Sequence, residues 1–234
     1  MLQPNERLPD VPRHRPPWSL TGSGWIVALR LPADSPARGA FLPDRLAGQV
    51  RGPVSLLMYV DYIESGCGPY RELLFIPGTL PFDDGRRHFT ISRIVVSTWD
   101  SVVNGRENWG IPKDRADFAV APAEPEGRDV RMRVTGDDGR EMCALRFGRR
   151  AFAPSLPVPG GLLPEGLRTL AQRFDGRTYY YAPSMSGWVR PGRLLDWSFD
   201  AELFPDLRGS SVVATLEVER FRMTFPVARV TDRS

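Results

Sequence analysis

The chain has 234 residues, of which 41% are apolar and 25% charged, with a formal net charge of +3 and two cysteines. At roughly 100 to 200 residues per domain, that length and balance describe one globular domain able to bury a sizeable core. Two cysteines, Cys67 and Cys143, and two histidines, His14 and His88, exclude a disulfide framework and give no spacing that would hold a metal, so both thiols are expected to be reduced and structural.

The first 22 residues, rich in Pro and Arg, read as an N-terminal arm without the apolar stretch of a secretory signal. Strand signals follow as short apolar or alternating runs bounded by Pro and Gly: 25–31, 55–63, 71–76 and 88–96. "TWDSVVNGREN" (98–108) predicts a helix capped by Ser97 or Thr98, and another strand follows at 116–121. "RDVRMRVT" and "REMCALRF" flank the turn "GDDG" (136–139), a hairpin signature because Asp-Gly supplies the positive φ of a tight turn. "LPEGLRTLAQRF" (163–174) predicts a second helix, and further strands are expected at 177–182, 192–203 and 212–230. Many short strands with few helices predict a mainly β fold, an antiparallel barrel or packed sheets, spanning 1–234 as a single domain.

No apolar run approaches the roughly 18 residues of a membrane span, so a cytoplasmic protein with no membrane partner is expected. The basic clusters "RHR", "GRR" and "RFGRR" are short and interspersed with acidic residues. A nucleic-acid partner would want a concentrated basic face with stacking aromatics, and none is expected. The apolar strands carry few lysines to guard exposed edges, which predicts a homo-oligomer.

Serine-hydrolase, Walker and zinc-protease signatures are absent, and "GCGPYR" (66–71) lacks the third glycine of a dinucleotide fingerprint and precedes a strand. What stands out is "GRENWGIPKD" (105–114), because Lys113 is the single lysine among 31 Lys plus Arg. Arginine stays protonated near neutral pH, whereas a desolvated lysine can give up its proton and attack a carbonyl. Gly110 and Pro112 set a rigid approach to it, and Trp109 and Ile111 supply apolar neighbours. Residue chemistry alone leaves two readings open: a Schiff-base nucleophile, or a surface lysine at a helix-to-strand junction.

"GRENWGIPK" resembles the segment of acetoacetate decarboxylases in which Gly-Arg-Glu is followed by the Pro-Lys of the Schiff-base lysine. Upstream, "SGCGPYRELLFIPG" (65–78) resembles that family's Gly-x-Tyr-x-Glu segment at a similar separation. The resemblance implies an acetoacetate decarboxylase-like barrel in which Lys113 condenses with a small or medium carbonyl or keto-acid substrate and Glu72 moves protons. It implies no cofactor and no metal, and family members commonly assemble as homo-oligomers. Tyr62, Glu64, Tyr70 and Trp109 are then expected to contact substrate, with Arg106, Glu107 and Asp114 supporting the site from behind.

Departures from the family pattern accompany the matches. The family places a second lysine directly after the first, and here that position is Asp114. The early family arginine falls around Thr21 to Gly24, where none stands, and a second family glutamate falls near Leu57, with Glu64 and Asp61 the nearest acidic side chains. These differences bear on substrate identity more than on imine chemistry: decarboxylation of a β-keto acid and aldol or dehydratase C–C chemistry both remain consistent. The alternative is a β-barrel that binds a small molecule without turnover.

Overall fold

The computed structural model describes residues 8–123, 129–150, 153–159 and 168–232. The strands in chain order are β1 (Trp18–Arg30), β2 (Ser55–Glu64), β3 (Tyr70–Ile76), β4 (Gly78–Pro81), β5 (Arg87–Thr90), β6 (Arg93–Val96), β7 (Asp114–Arg115) and β8 (Asp117–Pro122). They continue as β9 (Val130–Thr135), β10 (Glu141–Arg149), β11 (Leu156–Val158), β12 (Leu170–Phe174), β13 (Arg177–Tyr181), β14 (Ser184–Phe199), β15 (Ser211–Phe225) and β16 (Arg229–Asp232). Among the elements that lie wholly in the described residues, two α-helices interrupt them, the short α1 (Asp44–Ala47) and α2 (Trp99–Trp109).

The larger sheet runs β7-β6-β3-β2-β1-β15-β14-β10-β9-β8, with β11 added on β14. Its two edge strands are separated in sequence by Ala116 alone, whose N–H donates to Val96 O at 2.9 Å. The sheet therefore curls until its edges nearly meet, an arrangement that leaves little unpaired edge. A smaller sheet, β16-β13-β12-β5-β4, lies over part of its outside.

Successive side chains of a strand point to opposite faces. In β2 and β3 this sends Leu57, Tyr59, Leu73 and Phe75 to the barrel interior, where they join Met132, Val134 and Phe147 from the far side of the sheet. The alternate set, Val60, Tyr62, Tyr70 and Leu74, faces outward and is covered by α2 and β13. Two apolar layers thus share the same strands, and the candidate site lies in the outer one.

Several expectations shift in detail. The run 88–96 is not one strand: β5 belongs to the smaller sheet and β6 to the larger, with Ile91 and Ser92 between them. The run 212–230 likewise divides at Pro226, which has no N–H to continue a ladder. Of the helix expected over 163–174, residues 163–167 lie outside the described residues, Arg168 is helical, and 170–174 form β12 instead. The cause is local: Asp175 (φ 48°) and Gly176 (φ 72°) make a two-residue hairpin turn that pairs Phe174 with Arg177, an Asp-Gly signal that outweighs the helical spacing.

The arm also ends earlier than expected, because Trp18 to Gly22 already belong to β1. The residues before it are tied to α2 through Asn104. Its side-chain amide donates to Pro12 O (3.0 Å), and its side-chain oxygen accepts from the His14 N–H (2.7 Å).

Candidate active site

Helix α2 aims the lysine. Thr98 caps its start, the hydroxyl accepting from the Ser101 N–H at 3.3 Å, and Gly110 ends it at φ 61°, a left-handed position that glycine adopts without strain. The N–H groups of Gly110 and Ile111 close the last turn on Arg106 O (2.9 Å) and Gly105 O (3.3 Å), and Pro112 prevents further helix. The chain therefore reverses, and the Lys113 side chain runs back across α2 at Gly105. A methyl group there would lie 2.7 Å from Lys113 Cδ and 2.8 Å from Cε, so only glycine leaves the passage open.

At the end of that passage Lys113 Nζ donates to Glu72 Oε2 (2.8 Å), Ser101 Oγ (3.0 Å) and Tyr70 OH (3.4 Å). The other carboxylate oxygen of Glu72 accepts from Tyr62 OH at 3.3 Å. Lys113 is 4% and Glu72 5% exposed, so the ion pair is nearly closed to bulk water and its field is little screened. Burial, followed by the nearby Glu72 carboxylate, holds the phenols of Tyr62 and Tyr70 well above the usual tyrosine range, which keeps both as hydrogen-bond donors.

The neighbouring Asp114 serves the opposite side of the segment. It pairs with Arg93 and, at 3.1 Å, with Arg106 Nη2, while Arg106 Nε donates to Lys113 O at 2.9 Å. The aspartate charge is thus taken up by two guanidinium groups rather than by the amine, and the same arginine fixes the lysine backbone.

Lys113 and Glu72 line a cavity of about 420 Å³. Among the described residues, its charged lining groups are Glu72, Lys113 and Arg168, and the last donates through Nη1 to Ala182 O (2.5 Å) and Pro183 O (2.7 Å). The remaining wall is aliphatic and aromatic, with Met58, Leu74, Met185, Val218 and Phe221 prominent. Among the described residues no group of three or more His, Cys, Asp or Glu side chains is placed to hold a metal ion.

The sequence pattern of the acetoacetate decarboxylase (ADC) family matches residues 9–178, more than half of the chain and a span that includes both Glu72 and Lys113. The chain belongs to the acetoacetate decarboxylase family. No curated protein matches it in sequence. In fold it is similar to an acetoacetate decarboxylase from Legionella pneumophila (14% identity, 97% of this chain and 92% of that one, TM-score 0.65). It is similar also to an acetoacetate decarboxylase-like enzyme from Sphingomonas wittichii RW1 (16% identity, 93% and 94%, TM-score 0.61). A third fold relative is the enduracididine biosynthesis enzyme MppR, in complex with the condensation product of pyruvate and imidazole 4-carboxaldehyde (16% identity, 93% and 90%, TM-score 0.61). At these identities the likeness is one of fold.

Within this acetoacetate decarboxylase fold, Lys113, Glu72, Tyr62, Tyr70 and Trp109 converge on the one cavity. Trp109 forms part of the wall, its indole fixed by a 2.7 Å hydrogen bond to Pro226 O. Arg106 and Asp114 stand behind the lysine. Glu64 and Glu107 do not line the cavity. Glu64 has the strand parity of Tyr62 but lies past it at the end of β2, exposed, where its carboxylate accepts from Thr21 Oγ1 at 3.0 Å. Glu107 projects from α2 toward the arm and pairs with Arg13 at 2.9 Å, half exposed.

Ser101 escaped sequence reading, and Gly105 entered it only as the first residue of the Gly-Arg-Glu motif, although their i, i+4 spacing puts them on one face of α2. The wall from β14 and β15 also escaped it, because Met185, Val218, Phe221 and Met223 carry no chemical signal and reach the site only through strand pairing.

Proposed function

We propose that the chain is a lyase of the acetoacetate decarboxylase type in which Lys113 forms a Schiff base with a carbonyl substrate. The observation that carries this reading is a buried amine 2.8 Å from a buried carboxylate at the wall of an apolar cavity. A binding protein has no need of that pair, since burying two charges costs more than an apolar contact would.

The reaction begins with proton transfer from Lys113 Nζ to Glu72 Oε2, which frees the amine lone pair. The amine attacks the substrate carbonyl carbon, and the carbinolamine loses water, its hydroxyl protonated by Glu72, to give an iminium ion. The pair of electrons in the breaking C–C bond then flows into the iminium, leaving a neutral enamine on Lys113 and releasing carbon dioxide from a β-keto carboxylate or, as the Glu72 carboxylate takes the β-hydroxyl proton, an aldehyde from an aldol. Protonation of the enamine carbon, by Glu72 after aldol cleavage or by a water-derived proton after decarboxylation, and addition of water release the ketone and restore the amine. Tyr70 and Ser101, both within reach of Nζ, hold the nitrogen in place, and Tyr62 orients the carboxylate.

Both outcomes have a counterpart among the fold relatives, one named a decarboxylase and one holding a condensation product of two carbonyl compounds. The test is borohydride trapping with β-keto acids, pyruvate and aldehydes. Reduction of the imine leaves a stable secondary amine, and the mass increment falls on the peptide that carries Lys113, the single lysine in the sequence. Lys113→Arg, with an unchanged circular dichroism spectrum, loses the adduct and lowers turnover by at least ~10³-fold. Retained turnover in that folded variant overturns the Schiff-base reading, whereas binding with neither adduct nor turnover in the parent leaves the binding barrel.

A further inference from the structure

We infer that the substrate of this site carries its reacting carbonyl on a medium-length apolar chain, aliphatic or aryl-alkyl, and is not a small polar keto acid. The inference rests on the imine reading for the position of the carbonyl. The size, shape and charge of the cavity carry the rest.

Size comes first. A volume of about 420 Å³ holds about 14 groups at the ~30 Å³ that a water molecule occupies in the liquid. Acetoacetate has roughly half that many non-hydrogen atoms and would leave half of the cavity unfilled. Shape agrees, because the cavity is lined on β3 from Glu72 to Ile76 and on β2 from Tyr62 to Leu56. At ~3.3 Å per residue those spans measure about 13 and 20 Å. It is a channel along the strands leading away from the amine, and its lining by Met58, Met185 and Met223 suits a chain that packs without fixed shape.

Charge narrows the class further. Of the three charged lining groups among the described residues, Lys113 and Glu72 pair with each other, and Arg168 Nη1 is bonded to two backbone carbonyls. Arg168 also keeps a buried Nε–H without a partner, so a carboxylate at that end of the cavity can be met there, whereas elsewhere along the wall it would be buried unpaired against Met and Phe side chains, which is costly. A carboxylate is therefore tolerated in two places, beside the reacting carbon, where it leaves as carbon dioxide, and against Arg168. An apolar tail gains instead: each buried methylene is worth about fourfold in binding.

The experiment uses the full chain and two homologous series, straight-chain methyl ketones from acetone upward and β-keto acids from acetoacetate upward, to about ten carbons. For each member the borohydride-trapping rate and the calorimetric Kd are measured. The expected result is a gain of about threefold to fourfold per methylene in both, ending when the channel is full. Met185→Trp, opposite Met223 in the β14–β15 ladder, blocks the channel and moves the optimum to shorter chains.

Trapping on Lys113 that is flat or falls with chain length overturns the apolar-substrate inference and leaves the imine reading intact. Absence of any adduct, with Kd still tightening along the series, removes the imine and retains the apolar ligand. Neither adduct nor chain-length dependence sinks both.

Discussion

Leu73 and Leu74 are neighbours on β3, yet they enter two different interiors. Leu73 points into the barrel, 0% exposed among side chains from both walls of the curled sheet. Leu74 points outward to the layer under α2 and β13, where it borders the 420 Å³ cavity that also holds Glu72. One face is filled and the other is left open beside a buried ion pair. The filled face sets the curvature of the barrel, and with it the position of Glu72, while the open face leaves room for a ligand. The division of labour follows from the two-residue period of a strand: one β3 segment can be structural on one side and chemical on the other.

The largest expected effect separates the two faces directly. Leu73→Ala opens a hole in a filled core and should cost ~3–5 kcal/mol, whereas Leu74→Ala only enlarges an existing cavity and should cost ~1–2 kcal/mol, the transfer part alone. Denaturant unfolding of both variants measures the difference. Equal costs would show that the cavity is closed in solution, and the contrast between the faces would fall.

A smaller effect probes the passage of the lysine. Gly105→Ala places a methyl group 2.7 Å from Lys113 Cδ, so that side chain must move aside and its amine is displaced from Glu72. Alanine suits a helix interior better than glycine by ~0.5–1 kcal/mol, but loosening a buried ion pair costs more, so stability falls by at least ~1 kcal/mol. Turnover should fall by about 10²-fold. A variant as active as the parent would show that the lysine reaches the cavity by another path.

The smallest effect is on pH. Tyr62 and Tyr70 have folded pKa values raised by burial and by Glu72 above the unfolded value near 10. The sign follows from proton counts: above pH ~10 the unfolded chain releases phenol protons that the folded one keeps, so stability declines with rising pH. Their contribution is complete below about pH 10 and is lost as pH climbs from there through the folded values. Ultraviolet titration should show these phenols ionising only together with loss of structure. Ionisation of every tyrosine near pH ~10 in a folded protein would contradict the buried site.

The two halves of the site differed in how well the sequence revealed them. Lys113, Glu72 and the tyrosines were legible because reactive residue types sit in two short segments, "GPYRE" and "GIPK", whose local geometry is set by Gly, Pro and strand alternation. Glu64 misled because strand parity gives a face but not how far along the strand the covering layer extends. The helix expected over 163–174 misled in its last five residues, 170–174, because apolar spacing in a short segment fits either period until a turn such as Asp175-Gly176 is given its weight.

Local rules determined the strand-rich class, the capped helix before Lys113 and the reversal that follows it, since each depends on residues within a few positions of one another. Tertiary structure alone decided the rest: that Asp114 spends its charge on Arg93 and Arg106, that Glu72 meets the lysine at 2.8 Å, and that β14 and β15 complete an apolar wall. Apart from Asp114 with Arg106, eight positions away, those contacts join residues from 21 to more than a hundred positions apart, and only the closure of the sheet brings them within the few ångströms over which hydrogen bonds and dispersion act.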